Sequence, residues 1–294
     1  MRGKVLGVWI VTCLIWSTVW LFIKLGVRDV PPVTFAVFRL AVALAVLLPI
    51  AMARRTPFPQ SPRDWRLIAG TGVILLGLNY ALLNWGIQYI SSGLTAVLQA
   101  MTPAFGFLFA HLLLRDEKMT ALKAAALALG LTGVGIIFID QLEAAGTRGL
   151  LGSAAVVGGA MCVAIAYVEM RRSGSHLHPS AITSGQMLSA LGPLTAYAAV
   201  AEGNPLDTTW TMTAAVSVLY LALLGSVAGA WLNYWLLARI GATRLLVMGL
   251  LEPLIAVLMG AAFLGESINV RTLAGGCCIL IGVALVLDLF GRRV

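Results

Sequence analysis

Apolar residues occupy the chain in long runs separated by short polar clusters. Ten such runs lie near 5–24, 32–53, 67–89, 92–114, 120–139, 149–170, 180–200, 212–238, 243–264 and 270–289. A helix of about 20 residues, rising about 1.5 Å per residue, crosses the roughly 30 Å hydrocarbon core of a bilayer. Lipid offers no partner for backbone amides, so each run must satisfy its own as a helix. The pattern predicts an all-α polytopic membrane protein with ten transmembrane helices. The first run follows Arg2 and Lys4, but it is long, holds Trp9, Trp16 and Trp20, and meets no small-x-small cleavage site. It reads as an uncleaved first span.

The pattern also occurs twice. A shift of 150 residues places Trp85 on Trp235, Ile90 on Ile240, Val97 on Val247 and Pro103 on Pro253. A shift of 149 brings Glu117 to Glu266 and Gly133 to Gly282. Each copy has a proline in mid-run, then an apolar stretch, an acidic turn and a glycine-bearing apolar stretch. We divide the chain into two five-helix repeats, 1–146 and 147–294, at the polar joint Thr147–Arg148–Gly149. Five is odd, so the second repeat inserts upside down relative to the first. Inverted repeats of this kind place a substrate path between the halves.

Composition and charge agree with a bilayer solvent. Hydrophobic residues make up 60% of 294 positions and charged residues 11%, against about 25% charged in a typical soluble domain. With the N-terminus in the cytosol, fifteen basic residues fall inside, including Arg2, Lys4, Arg54, Arg55, Arg171 and Arg172. Outside fall Arg28, Arg148 and Arg271, while Lys24 and Arg39 lie within spans. The positive-inside rule therefore favours two cytoplasmic termini and an even span count, in a multi-pass protein of the bacterial inner membrane. The net charge of +8 belongs to loops facing anionic lipid and gives no reason to expect nucleic acid. Cys13, Cys162, Cys277 and Cys278 all lie in apolar runs without a CxxC pair, which suits packing thiols rather than a metal or disulfide. There is no P-loop, H-E-x-x-H or G-x-S-x-G motif. No cofactor is expected, and any pumping must draw on gradients or exchange. His176 and His178 read as solvated loop residues.

Polar residues inside the spans supply the candidate site. A charge at the helix centre costs roughly 2.5–3.5 kcal/mol even on lenient scales. Arg39 lies about 11 Å deep from the outer face, where it suits either a substrate carboxylate or helix pinning through backbone carbonyls. Lys24 ends its span and can anchor at the interface. Glu252 sits about 14 Å from the inner end of the ninth run, either as a proton-accepting group or as a structural one, and its counterpart in the first half is Thr102. Protons are thus a candidate coupling ion. Pro103 and Pro253 each remove an amide and loosen the preceding turn, so both are candidate hinges or plain kinks. Tyr80, Asn84 and Gln88 share a face by their spacing of four, with Asn79 beside it. Gln99 belongs to a polar stripe in the fourth run. Trp16, Ser17 and Trp20 mark the first run, and Ser226, Trp231 and Asn233 the eighth. Amides in hydrocarbon need partners, and these faces suit either interhelical glue or a cavity for an amphipathic small molecule. Gly225 and Gly229 form a GxxxG that favours close helix approach.

These segments resemble the drug/metabolite transporter superfamily, and within it the EamA-type exporters. The matching stretches are IWSTVWLFIKLG (15–26), PPVTFAVFRL (31–40), LLLRDEKMT (112–120), LEPLIAVLMGAAFLGE (251–266) and LAGGCCILIGVALVL (273–287). The resemblance implies ten spans in two inverted halves, cytosolic termini, a central cavity and export of small metabolites, often amino acids. Trp16, Ser17, Arg39, Pro103, Pro253 and Glu266 are the positions that match its motifs. The Gly–Glu turn of the second half, Gly265–Glu266, reads Asp116–Glu117 in the first. The aromatic stripes point to aromatic or apolar amino acids. The expected partners are a small-molecule substrate and the lipid bilayer, with the chain as a monomer or weak homo-oligomer. A non-transporting partner subunit and a membrane-embedded enzyme on lipid-linked substrate are the alternative readings. The second would need clustered acids, histidines or cysteines at one membrane face.

Overall fold

The structure is a computed structural model that describes residues 3–114, 120–204, 207–229, 231–232, 235–236, 239 and 248–291. Among the described residues it contains ten helices. α1 spans Gly3–Gly26, α2 Pro32–Ala53, α3 Pro62–Gly86 and α4 Ser92–Leu113. The run Ala121–Ser173 is two helices meeting at Gly146, which has φ 62° and ψ −154°. Only glycine enters that backbone region without a steric cost. We label residues 121–145 α5 and residues 147–173 α6. α7 spans Pro179–Ala201, α8 starts at Met212, α9 spans Met248–Leu264 and α10 Val270–Gly291. Ten antiparallel helices in sequence make two inverted five-helix repeats, as the apolar runs predict.

Helix starts follow local chemistry. Ser61, Ser91, Thr120 and Thr211 each accept a hydrogen bond from a backbone amide in the first turn of the helix they precede, which relieves donors that would otherwise be orphaned. Pro32, Pro62 and Pro179 occupy first turns, where the missing amide costs nothing.

Two features repeat between the halves at the level of backbone. α3 contains a π-helical stretch at Val73–Leu78, and α8 contains one at Leu221–Ala228. The shift of 150 residues lays the first within the second. Such bulges add a residue to one turn and rotate everything beyond it, and they concentrate at functional sites. Small residues also let helices close on each other across the halves. A methyl built on Gly275 would stand 2.7 Å from the Gly133 carbonyl, so α5 and α10 touch backbone to backbone, as small-residue seams in membranes do.

The two mid-helix prolines differ. α4 breaks at Ala100–Met101 into Ser92–Gln99 and Thr102–Leu113, with Pro103 in the first turn of the second piece. Thr102 Oγ1 donates to the Gln99 carbonyl at 2.7 Å and holds the break. α9 runs unbroken through Pro253. The hinge symmetry read from the sequence is therefore a symmetry of position and not of backbone shape.

Candidate functional site

Arg39 is the buried charge around which the α2–α3–α8 contact is built. It is 7% exposed. Its guanidinium lies 4.8 Å above the Tyr80 ring, and Nη2 lies 3.4 Å from Ser226 Oγ. Nε has no partner among the described residues, and none of the acidic side chains among them pairs with the guanidinium. The π stretch of α8 places Ser226 here, and the Ser226 hydroxyl donates to the Leu221 carbonyl five residues back. Gly225 leaves room on α8 for the Val19 side chain and Gly229 for the indole of Trp16. The energetics are unbalanced. Desolvating one ion costs several kcal/mol, whereas a buried cation–π contact returns about 2 kcal/mol, and a hydrogen bond stretched to 3.4 Å adds little.

The other polar candidates separate into distinct groups. Asn79 donates to the Leu75 carbonyl and accepts from Gln99 Nε2 at 3.5 Å, and Gln99 also reaches the Val156 carbonyl. Gly159 on α6 supplies the space this amide pair fills. Asn84 donates to the Pro32 carbonyl at 3.1 Å, tying α3 to the start of α2. Tyr80 and Asn84 thus do share a face, which packs on α2. Ser17 donates to the Cys13 carbonyl of its own helix at 2.7 Å. Trp20 buries an unpartnered indole N–H among the described residues. Lys24 donates to the carbonyls of Ile87, Gln88 and Ile90 and so closes the C-terminal end of α3. Glu252 is half-buried on α9, facing α1 within electrostatic range of the Cys13 thiol. It makes no hydrogen bond or ion pair with Arg39.

A cleft of about 500 Å³ lies between α2, α7 and α8. Leu47, Ile50, Ala51 and Arg54 line it from α2, and Pro179, Ser180 and Thr183 from α7, with His178 at the mouth. Ser226, Val227, Ala228 and Trp231 line it from α8. It therefore runs from the end of the bundle that carries the N-terminus, here the termini end, to the hydroxyl that Arg39 touches. Among the residues nominated from sequence, Trp231 lines this cleft. Asn233 lies outside the described residues. His178, read from sequence as a solvated loop residue, accepts from the Ser180 amide at 3.3 Å to cap α7 and faces the cleft. Arg54 and Thr183 were not singled out, and nothing in their local sequence separates them from ordinary loop and helix-start residues.

At the opposite, distal end polar contacts tie the halves together. Glu202 accepts from the Val33 and Thr34 amides at 2.9 and 2.7 Å and from Thr34 Oγ1 at 2.9 Å. Glu266 accepts from the Ser92 amide and hydroxyl, each at 2.8 Å. Both carboxylates sit on helix N-termini, where the dipole and orphan amides favour negative charge. Asp140 accepts from Asn269 and Thr272 at 2.6 and 3.0 Å, Thr211 donates to Asp29 at 2.6 Å, and Arg271 pairs with Glu143. Gly265, with φ 65°, ends α9 and turns Glu266 back toward α4. At the termini end, His176 links the loop before α7 to Asp64 in the first turn of α3 at 3.2 Å.

Comparison with known proteins gives this architecture a family. A protein of known crystal structure matches all of this chain and all of its own at a TM-score of 0.64 and 18% identity, which speaks to the fold alone. "Uncharacterized transporter YoaV" of Bacillus subtilis is 28% identical over 100% of this chain and 99% of its own. "Probable terminal-alkyne amino-acid exporter" of Streptantibioticus cattleyicolor and "Probable amino-acid metabolite efflux pump" of Salmonella typhimurium are each 28% identical, over 95% of this chain and 93% of theirs. The EamA-like transporter family model matches residues 3–139 and again residues 150–288. With a duplicated five-helix unit, a π stretch in the third helix of each copy and a family match over both, this chain belongs to the EamA-like transporter family, as a multi-pass membrane protein.

Proposed function

We propose that this protein is a secondary transporter that exports small metabolites, amino acids or related amphipathic compounds, by alternating access. The observation that carries the reading is the cleft of about 500 Å³, which reaches Ser226 from the termini end while cross-half hydrogen bonds tie the distal end together. A carrier needs one closed and one accessible side around a midplane site. The halves 1–146 and 147–294 rock against each other, with the α4 break at Pro103 and the weakened turn before Pro253 absorbing the motion. Substrate enters past Arg54 and His178 and is contacted by Trp231, Ser226, Tyr80 and Arg39. Trp16, Trp20 and Glu252 flank its path. The placement of basic residues supports cytoplasmic termini, so the cleft opens inward. The exporter and efflux-pump names of two relatives support the direction and the metabolite class.

The test is flux into or out of liposomes containing the purified protein, across a panel of amino acids, nucleosides and amphipathic cations. At least one class should move faster than in empty liposomes, and Trp231→Ala should slow it. Flux indistinguishable from empty liposomes across the panel would refute the reading.

A further inference from the structure

The cleft has a charge that its helices do not balance. Arg54 and His178 stand at its mouth, and Arg39, which does not itself line it, lies behind the Ser226 hydroxyl that does. No acidic side chain is among its described lining residues. Glu252, the acid of α9, faces Cys13 on another helix contact. The walls between are aliphatic, with the Trp231 indole on one side. Arg39 is more than nine-tenths buried, its Nε is unpartnered among the described residues, and its one side-chain hydrogen bond is the long contact to Ser226. A guanidinium is always charged and offers a planar fork that matches a carboxylate in two-point contact.

We infer that the cleft takes substrates with an apolar body and a carboxylate, and that Arg39, reached past Ser226, is the group that selects the carboxylate. This rests on the transport reading above and narrows its substrate class. The apolar part lies along Leu47, Ile50 and Trp231. The carboxylate takes the N–H edge of the guanidinium that carries the long Ser226 contact, while the Tyr80 ring keeps its face. An amphipathic cation meets like charge at both ends of the cleft and is excluded. Ser226 lines the cleft and touches Nη2 from that side.

The experiment compares matched pairs: phenylalanine with phenylalaninamide and leucine with leucinamide. Two readouts are taken, thermal stability of the full chain in detergent and counterflow in liposomes. Ligand that binds the folded state raises the melting temperature by mass action, so this arm needs no transport. The carboxylate of a pair should stabilise the protein at concentrations about tenfold below its amide. Arg39→Gln should erase the difference, and Arg39→Lys, which keeps charge but loses the fork, should reduce it. Ser226→Ala should change the preference by less than Arg39→Gln does. Equal stabilisation by acid and amide, no stabilisation by either, or an undiminished preference in Arg39→Lys when Arg39→Gln does not fold would overturn the inference. Flux of amides or cations without acid preference would overturn it while leaving the transport reading intact. Absence of all flux alongside acid-selective binding would overturn the transport reading and leave the Arg39 assignment standing.

Discussion

Replacing Glu266 with glutamine tests whether the distal end is held shut by its carboxylate. The side chain keeps its size and loses its charge. In the present structure Oε1 accepts from the Ser92 amide and Oε2 from the Ser92 hydroxyl, each at 2.8 Å. Gly260 leaves the slot, since a methyl there would overlap the Glu266 carboxylate and stand 2.8 Å from Ser92 Oγ. Glutamine keeps one neutral hydrogen bond and turns its amide donor toward Gly93 N–H, another donor. Hydrogen bonds to a charged group contribute about 1.5–3 kcal/mol each and neutral ones about 0.5–1.5. The interaction of the anion with the helix dipole adds up to about 1 kcal/mol at such a terminus. A loss of about 2 kcal/mol follows, or about a thirtyfold shift away from distal closure. The assay is maleimide labelling of Ile90→Cys, at a side chain 3% exposed beside the start of α4, in a variant whose four native cysteines are replaced by serine or alanine. Glu266→Gln should raise the labelling rate about thirtyfold without lowering the melting temperature by an equivalent amount. A rate within twofold of the parent, in folded protein, would refute the latch.

Three further outcomes are expected. Pro103→Ala should restore amide hydrogen bonding across the α4 break and stiffen it, so flux should fall while the melting temperature holds or rises; Pro253→Ala, in a helix already continuous, should affect flux less, and equal effects would deny the asymmetry. Gly275→Ala places a methyl 2.7 Å from the Gly133 carbonyl and should destabilise by about 1–3 kcal/mol as overpacking does, read as a lower melting temperature in detergent. Glu252→Gln should abolish the response of flux to an imposed pH gradient while preserving counterflow, and an unchanged response would make Glu252 structural.

Much of the architecture was legible without coordinates, for a physical reason. A bilayer forces each span to be a self-satisfied helix of about 20 residues, so apolar run length alone gives the number and order of helices. The odd number of runs per repeat then dictates inversion. Lys24 and Glu266 were also visible as unusual residues, although their partners were not. Each finds its backbone partners on a distant segment, through contacts spanning 63 to 174 positions in sequence, and local pattern carries no trace of such distances.

What only the tertiary structure decided is which polar face meets which. The π stretches in α3 and α8 shift the helical phase in mid-span, so a stripe counted at intervals of four is no guide across them. Asn79 and Tyr80, adjacent in sequence, point about 100° apart around the helix and serve separate clusters, one with Gln99 and one with Arg39. Likewise the sequence places Pro103 and Pro253 at equivalent positions, but only packing breaks one helix and keeps the other whole. The cleft joins residues from α2, α7 and α8 whose common property is proximity. Sequence by itself determined the solvent, the helices and their duplication, because those follow from chain-local hydrophobicity. The site required the fold, because burial and charge pairing are properties of neighbours brought together in space.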